Sequence, residues 1–139
     1  MSQDHDARRA LVAQCVALNH RINRGFLAIE GMSLSHTQWR ILSIVQVQQS
    51  CTQKHLSSAL NTTHANTSQV LTRLQKMGYI QRQKKGAERW ITLSAKAREV
   101  LTQHAQAYER LLDEILGPLS PQEQQIMSMW LARLNATTP

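Results

Sequence analysis

A chain of 139 residues with 42% hydrophobic side chains and a net charge of +7 can bury a core of its own, and one domain over residues 1–139 is expected. It has no run of about 18 apolar residues, and its N-terminus, MSQDHDARRALVAQ, has no long apolar segment before a small-residue cleavage site, which argues against a membrane span and a secretory signal. Two cysteines, Cys15 and Cys51, make no disulfide framework, so free thiols in a reducing cytoplasm are expected.

In chain order, Leu11, Cys15, Leu18, Ile22, Phe26 and Ile29 draw one apolar stripe at helical spacing. They predict a helix over 6–30, with Gly31 as its stop. Ser35 and Gln38 stand at capping-box spacing, flanked by Leu34 and Trp39 at the staple positions, and Ile41, Leu42 and Val45 continue an apolar face. A helix over 36–48 follows. Thr52 caps a short helix in which Leu56, Ala59 and Leu60 point inward and which Asn61 ends. Thr62 or Thr63 caps another that runs to Met77, with Gly78 as its terminator. From Tyr79 the period changes, and two strands over 79–83 and 89–93 are predicted around a turn signal at Lys85–Gly86. Ser94 caps a long helix with Val100, Leu101, Tyr108, Leu111, Leu112 and Ile115 as its apolar positions. After Gly117–Pro118, Ser120, Pro121 and Glu123 start a last helix.

The expected fold class is mainly α with a small β-hairpin. Two short helices joined by a tight turn and followed by a hairpin make a winged helix-turn-helix. Its lobe spans about 34–94, between helical segments at about 6–30 and 95–136.

Charge placement says more than the total. Residues 1–30 carry four Lys/Arg and three acids, 31–98 carry ten and one, and 99–139 carry two and five, giving nets of +1, +9 and −3. A positive field concentrated in the middle suits a polyanion such as DNA or RNA.

In THANTSQVLTRLQKMGYIQRQKK, residues 63–85, the apolar ladder Val70, Leu71, Leu74 and Met77 faces the core. The opposite side offers groups suited to base edges and phosphates: Thr63, His64, Asn66, Thr67, Ser68, Gln69, Thr72 and Arg73. Asn and Gln suit adenine, Arg suits guanine, and hydroxyls serve either bases or phosphates.

The segments LSHTQWRIL, TQKHLSSALNTTHANTSQVLTRLQKMGYIQR and ITLSAKAREVL, spanning about 34–101, together resemble the MarR family of bacterial transcription regulators. LTRLQKMGYIQR is similar to that family's Leu-x-x-x-Gly-hydrophobic-Ile-x-Arg signature, and LSAKAREVL to its Leu-Thr-x-x-Gly opening of the long helix, with Ala97 in place of the Gly. The resemblance implies a homodimer whose first and last helices interlock. Leu11, Leu18, Ile22, Met127, Trp130, Leu131 and Leu134 are then the interface candidates. It also implies a ligand-responsive repressor reading double-stranded DNA at a palindromic operator, with half-sites about one helical turn apart. The tip QKKGAER departs from the family: it is about three residues short and lacks the Asp of an Asp-x-Arg motif. By resemblance Arg89 takes the part of the wing arginine, while Arg82, Lys84 and Lys85, with Thr52, Lys54 and Lys76, are candidates for backbone contact.

Family members respond to small phenolic or lipophilic effectors, and His36, Trp39 and Arg40 could border such a pocket. QCVAL resembles the cysteine context of the family's peroxide-sensing subgroup, which leaves Cys15 as either a redox sensor or a small core residue. The six histidines show no metal-ligand pairing, and neither a phosphate loop nor a nucleophile elbow occurs, so no metal, cofactor or enzymatic activity is expected. A winged-helix module that binds protein rather than DNA is the alternative from another class.

Overall fold

The computed structural model of the chain describes residues 2–136; residues 1 and 137–139, the extremities of the expected domain, lie outside the described residues. Among the described residues the order is α1 (Ser2–Leu27), α2 (His36–Gln48), β1 (Ser50–Thr52), α3 (Gln53–Ala59), α4 (His64–Lys76), β2 (Ile80–Lys85), β3 (Glu88–Leu93), α5 (Ala95–Leu116) and α6 (Pro121–Ala136). This is a mainly helical winged helix-turn-helix, as the sequence pattern predicts.

The caps explain where the helices begin. Ser35 Oγ accepts from Gln38 N at 3.1 Å while Gln38 Oε1 accepts from Ser35 N at 2.9 Å, a complete capping box. Ser120 and Glu123 repeat the exchange before α6. Thr52, Thr63 and Ser94 each accept from a backbone N–H three residues on.

Four features differ from the sequence expectation. The first helix runs Ser2–Leu27, not 6–30. Its last turn loosens into bonds from Ile29 N to Phe26 O and Met32 N to Ile29 O, and Gly31 at φ 79 completes the exit. The sheet has three strands in the order β1-β3-β2, all antiparallel, because Ser50–Thr52 pairs with Trp90–Thr92. The hairpin is longer than expected, and its turn falls on Gly86–Ala87 rather than Lys85–Gly86. Pairing continues out to Lys85 and Glu88, and Gly86 takes φ 64 at the first central position of a two-residue loop. Finally, Ala59 is exposed, while Leu56 is fully buried and Leu60 half-buried.

The core lies where α2, α3, α4 and α5 close over the sheet. Ile41, Leu42, Val45, Leu56, Leu71, Leu74 and Ile91 have no exposed surface. Each such side chain contributes about 1.5–3 kcal/mol by leaving water. Helix α1 reaches this core only through its C-terminal turns: Phe26 is fully buried, and Gly25 lies so close to Leu111 of α5 that a Cβ would overlap that side chain. His104, on the inner face of α5, is buried at 5% exposure.

Helix α4 ends in a Schellman motif. Gly78 takes φ 85, Tyr79 N donates to Leu74 O and Gly78 N to Gln75 O, both at 3.0 Å. The carbonyls left over at that end find partners across the fold. Ser94 Oγ lies 2.6 Å from Gly78 O and 3.0 Å from Tyr79 O, and Lys96 Nζ donates to Met77 O at 2.6 Å. Ser94 Oγ also accepts from Ala97 N, so one hydroxyl starts α5 and finishes α4. Ser94→Ala is expected to cost about 1–2 kcal/mol of unfolding free energy, the upper range for losing a cap. Denaturant unfolding checks this, and an unchanged midpoint would show that the flanking strands alone hold the junction.

Candidate nucleic-acid interface

Helix α4 carries the chemistry because its two faces are so unequal. Thr67, Leu71 and Leu74 are buried, with Val70 and Met77 half-buried beside them. The other side presents Ala65, Ser68, Gln69, Thr72, Arg73 and Lys76, which line one open hollow along the helix. These positions recur at i, i+3, i+4, i+7, i+8 and i+11, a single stripe. Ala65, at the foot of the stripe, is missing from the sequence-based set; its lack of a polar group left no signal there.

The candidate contacts at the head of α4 are held in place. Thr63 caps the helix, and Asn66 Nδ2 donates to Thr62 Oγ1 at 3.3 Å. Gln53 Nε2 lies 3.0 Å from His64 Nε2, which fixes the imidazole at the first turn. Gln53 is itself 2% exposed, and its Oε1 is buried without a hydrogen-bond partner.

Thr67 does not belong to the contact face. It is 1% exposed, donates to Thr63 O at 3.0 Å and accepts from Ser57 Oγ at 2.9 Å. Its hydroxyl welds α4 to α3, a role that polar character alone could not separate from DNA contact. Thr72 is only half-buried, but its hydroxyl hydrogen is committed to Ser68 O at 2.9 Å. It can therefore accept from a ligand and cannot donate to one.

The wing continues the cationic surface. Cross-strand register puts Lys84 opposite Arg89, both exposed, and Lys85 opposite Glu88. Two like charges directly opposite each other are unfavourable unless an anion joins them. Arg82 is placed differently from its expected backbone role: its guanidinium donates to Gln75 Oε1 at 2.8 Å and to Thr72 Oγ1 at 3.1 Å. Lys54 is exposed beside Gln53, and Thr52 is half-buried as the cap of α3 and the last residue of β1.

A second cluster joins α1, α2 and α5. Phe26, His36, Trp39 and Tyr108 stack with ring centroids 5.1–5.9 Å apart, and His36 Nε2 lies 2.9 Å from Tyr108 Oη. Trp39 is 4% exposed and fills this space as a core residue. Arg40 is exposed and lines a different hollow with Thr37, Asn61 and Thr62. Burial pushes the His36 pKa down, and Arg40 adds to the shift. Burial also pushes the Tyr108 phenol up, against the opposing pull of Arg40.

The two thiols differ. Cys51 is buried, and desolvation raises it to about 11, so it is chemically quiet. Cys15 is exposed in the chain, which removes the core reading within one protomer. It borders an apolar groove of about 410 Å³ with Leu11, Leu18, Ile22, Met127 and Leu131. Among the described residues, no three His, Cys, Asp or Glu side chains gather as a metal site, and no helix is long and apolar enough to cross a membrane.

Residues 34–89, the helix-turn-helix and most of the wing, match the model of the MarR family. A solved "probable transcriptional regulator" from Pseudomonas aeruginosa is 30% identical over 93% of this chain and 98% of its own, with a TM-score of 0.76. This chain belongs to the MarR family of winged-helix transcriptional regulators. Two other solved structures share the fold at lower identity. Sco3205 from Streptomyces coelicolor, a MarR family regulator solved in complex with DNA, has a TM-score of 0.82 at 16% identity, covering 96% of this chain and 86% of its own. BpsR from Bordetella bronchiseptica, whose DNA binding is regulated by 6-hydroxynicotinic acid, has a TM-score of 0.76 at 17% identity, covering 90% and 98%. No curated protein sequence matches the chain.

For this MarR-family chain, the His36 shift sets a sign. A histidine whose folded-state pKa lies below its ordinary 6.5 favours the neutral ring in the folded protein. Its contribution is present above pH 6.5 and is lost as pH falls through the lowered folded-state value. Thermal midpoints measured from pH 7.5 to 5 are expected to fall more steeply in wild type than in His36→Gln. Parallel profiles would count against this assignment.

Proposed function

We propose that the protein is a homodimeric repressor that reads a palindromic operator in double-stranded DNA and releases it on binding a small phenolic or lipophilic effector. The observation that carries the reading is the polar stripe of α4, Ser68 to Lys76, which lines an open hollow, together with a wing whose tip pairs Lys84 with Arg89. A helix that buries one side and turns amides, hydroxyls and an arginine outward, inside a segment of net +9, suits a major groove. Sco3205, which shares the fold and was solved in complex with DNA, supports DNA as the partner. Lys84, Lys85 and Arg89 supply phosphate contacts, and Arg89, in the part of the family's wing arginine, is the wing residue that enters a groove. The winged-helix lobe, about 34–94, and the flanking helices, about 6–30 and 95–136, act as one unit.

Pairing of two chains is supported by what one chain leaves uncovered. Helix α6 buries none of its residues. Leu11 is 56% exposed, and Trp130 and Leu134 are each 60% exposed, while Leu18, Ile22, Met127 and Leu131 are half-buried between α1 and α6. Apolar area of this kind marks an interface. The effector class is supported by BpsR, whose regulating ligand is a hydroxylated aromatic acid. Cys15 keeps a second reading open, since an exposed thiol at the same groove could transmit oxidation to the α1–α6 pair.

Fluorescence anisotropy with the DNA upstream of the protein's own gene, against a scrambled duplex and across a salt series, tests the central claim. A preference that survives about 0.15 M salt is expected, because the non-specific component weakens steeply with salt. Arg73→Ala is expected to cost about 1–3 kcal/mol on the preferred duplex and to relax one base position. Equal, salt-labile binding to both duplexes would defeat the sequence-reading claim and favour a polyanion surface or a protein-binding module. Peroxide that leaves affinity unchanged would remove the Cys15 reading.

Sedimentation should return two chains for wild type, and Trp130→Asp should shift the population toward monomer with loss of operator binding. A monomeric wild type at micromolar concentration would refute the pairing.

A further inference from the structure

The wing has a buried root and an unsupported tip. Along one face of the hairpin the cross-strand pairs run from Ile80 with Leu93, through Arg82 with Ile91, to Lys84 with Arg89. Ile80 and Ile91 are buried, Arg82 is half-buried, and every residue from Gln83 to Arg89 is exposed. Arg82 is therefore the last residue on that face before the hairpin enters solvent.

Its guanidinium does not point away from the protein. Nε donates to Gln75 Oε1 at 2.8 Å and Nη2 to Thr72 Oγ1 at 3.1 Å, so one planar fork spans two side chains a turn apart on α4. Thr72 is steadied in turn by its own bond to Ser68 O. A lysine at 82 could keep the charge but not the fork, since its ammonium is a single point with no second donor nitrogen.

We infer that Arg82 is a positioning residue that sets the angle between the wing and the recognition helix, and so the spacing between the Lys84–Arg89 pair and the α4 stripe. It acts through Thr72 and Gln75 rather than by touching a phosphate. The effect on DNA rests on the function proposed above; the steering of the wing does not.

Two arms test the inference on the full-length protein. Amide hydrogen exchange without DNA reads the wing directly. Arg82→Lys and Gln75→Met are expected to speed exchange about tenfold at residues 83–89, with α2 and α5 unchanged as evidence of intact folding. Unaltered wing exchange overturns the inference. The second arm uses a duplex recovered by selection from a random library. Arg82→Lys is expected to lose about tenfold in affinity, of the order of one charge-assisted hydrogen bond, while the slope of log K against log salt keeps its wild-type value. The double variant should lose no more than Arg82→Lys alone, because both changes break one clamp. If Arg82→Lys binds like wild type while Arg82→Gln lowers the slope by about one contact, Arg82 touches phosphate and the inference fails. A wild type that selects no duplex would defeat the DNA-reading function, and the exchange arm would still decide whether Arg82 steers the wing.

Discussion

At the end of α4, three carbonyls with no partner inside the helix meet a serine and a lysine from the start of α5. Met77 O accepts from Lys96 Nζ, Gly78 O accepts from Ser94 Oγ at 2.6 Å, and Tyr79 O, also 3.0 Å from that hydroxyl, accepts from Ser94 N at 2.9 Å. A helix C-terminus always leaves such carbonyls, and burying them unpaired would cost about 1–3 kcal/mol each. Here their satisfaction fixes three directions at once. Helix α4 stops, β2 leaves, and β3 returns to launch α5 from the same point. The wing and α4 are then two arms of one polar knot, and the Arg82 fork braces the angle between them.

Helix α5 carries that knot to the rest of the molecule. Between Ser94 and Tyr108 it rises about 21 Å at 1.5 Å per residue. At the far end, Tyr108 enters the ring cluster with Phe26, His36 and Trp39, and Leu111 packs against Gly25 of α1. One uninterrupted helix held at both ends couples a displacement at one end to the other. A change that reorients α1 must therefore either break the cluster or move the knot, and the knot holds the surface proposed to meet DNA. This gives the effector-linked reading a physical route through packed side chains.

Much of this was legible before any coordinates. Ser35–Gln38, Ser120–Glu123 and Gly78 are short local signals that tertiary packing does not override, and each lies where the fold uses it. What stayed hidden depended on distant partners. Ser50–Thr52 is too short to show alternation and becomes a strand only because β3 passes beside it. Thr67 reads as one more polar residue of the α4 surface until Ser57 closes over it. Arg82 reads as another basic residue of the wing until Thr72 and Gln75 engage two of its donors. The hairpin turn shifted by one residue because glycine's positive φ selected the two-residue loop. At the candidate site, residue types were readable at the level of the face, while individual roles required geometry.

The segregation of charge bears on how two such chains could pair. The net +9 lies in 31–98, whereas residues 99–139, which include α6, carry −3. Pairing through α1 and α6, which carry net charges of only +2 and 0, brings together apolar and weakly charged helices and keeps the two strongly basic lobes apart. The self-repulsion that a large net charge imposes on a compact assembly then falls on solvent-separated lobes, where salt screens it over about 8–10 Å. The opposite arrangement would press two +9 surfaces together and leave the Leu11–Trp130–Leu134 patch in water. Hydrophobic burial and electrostatics thus favour the same geometry: helical ends joined, basic wings outward and free for a polyanion.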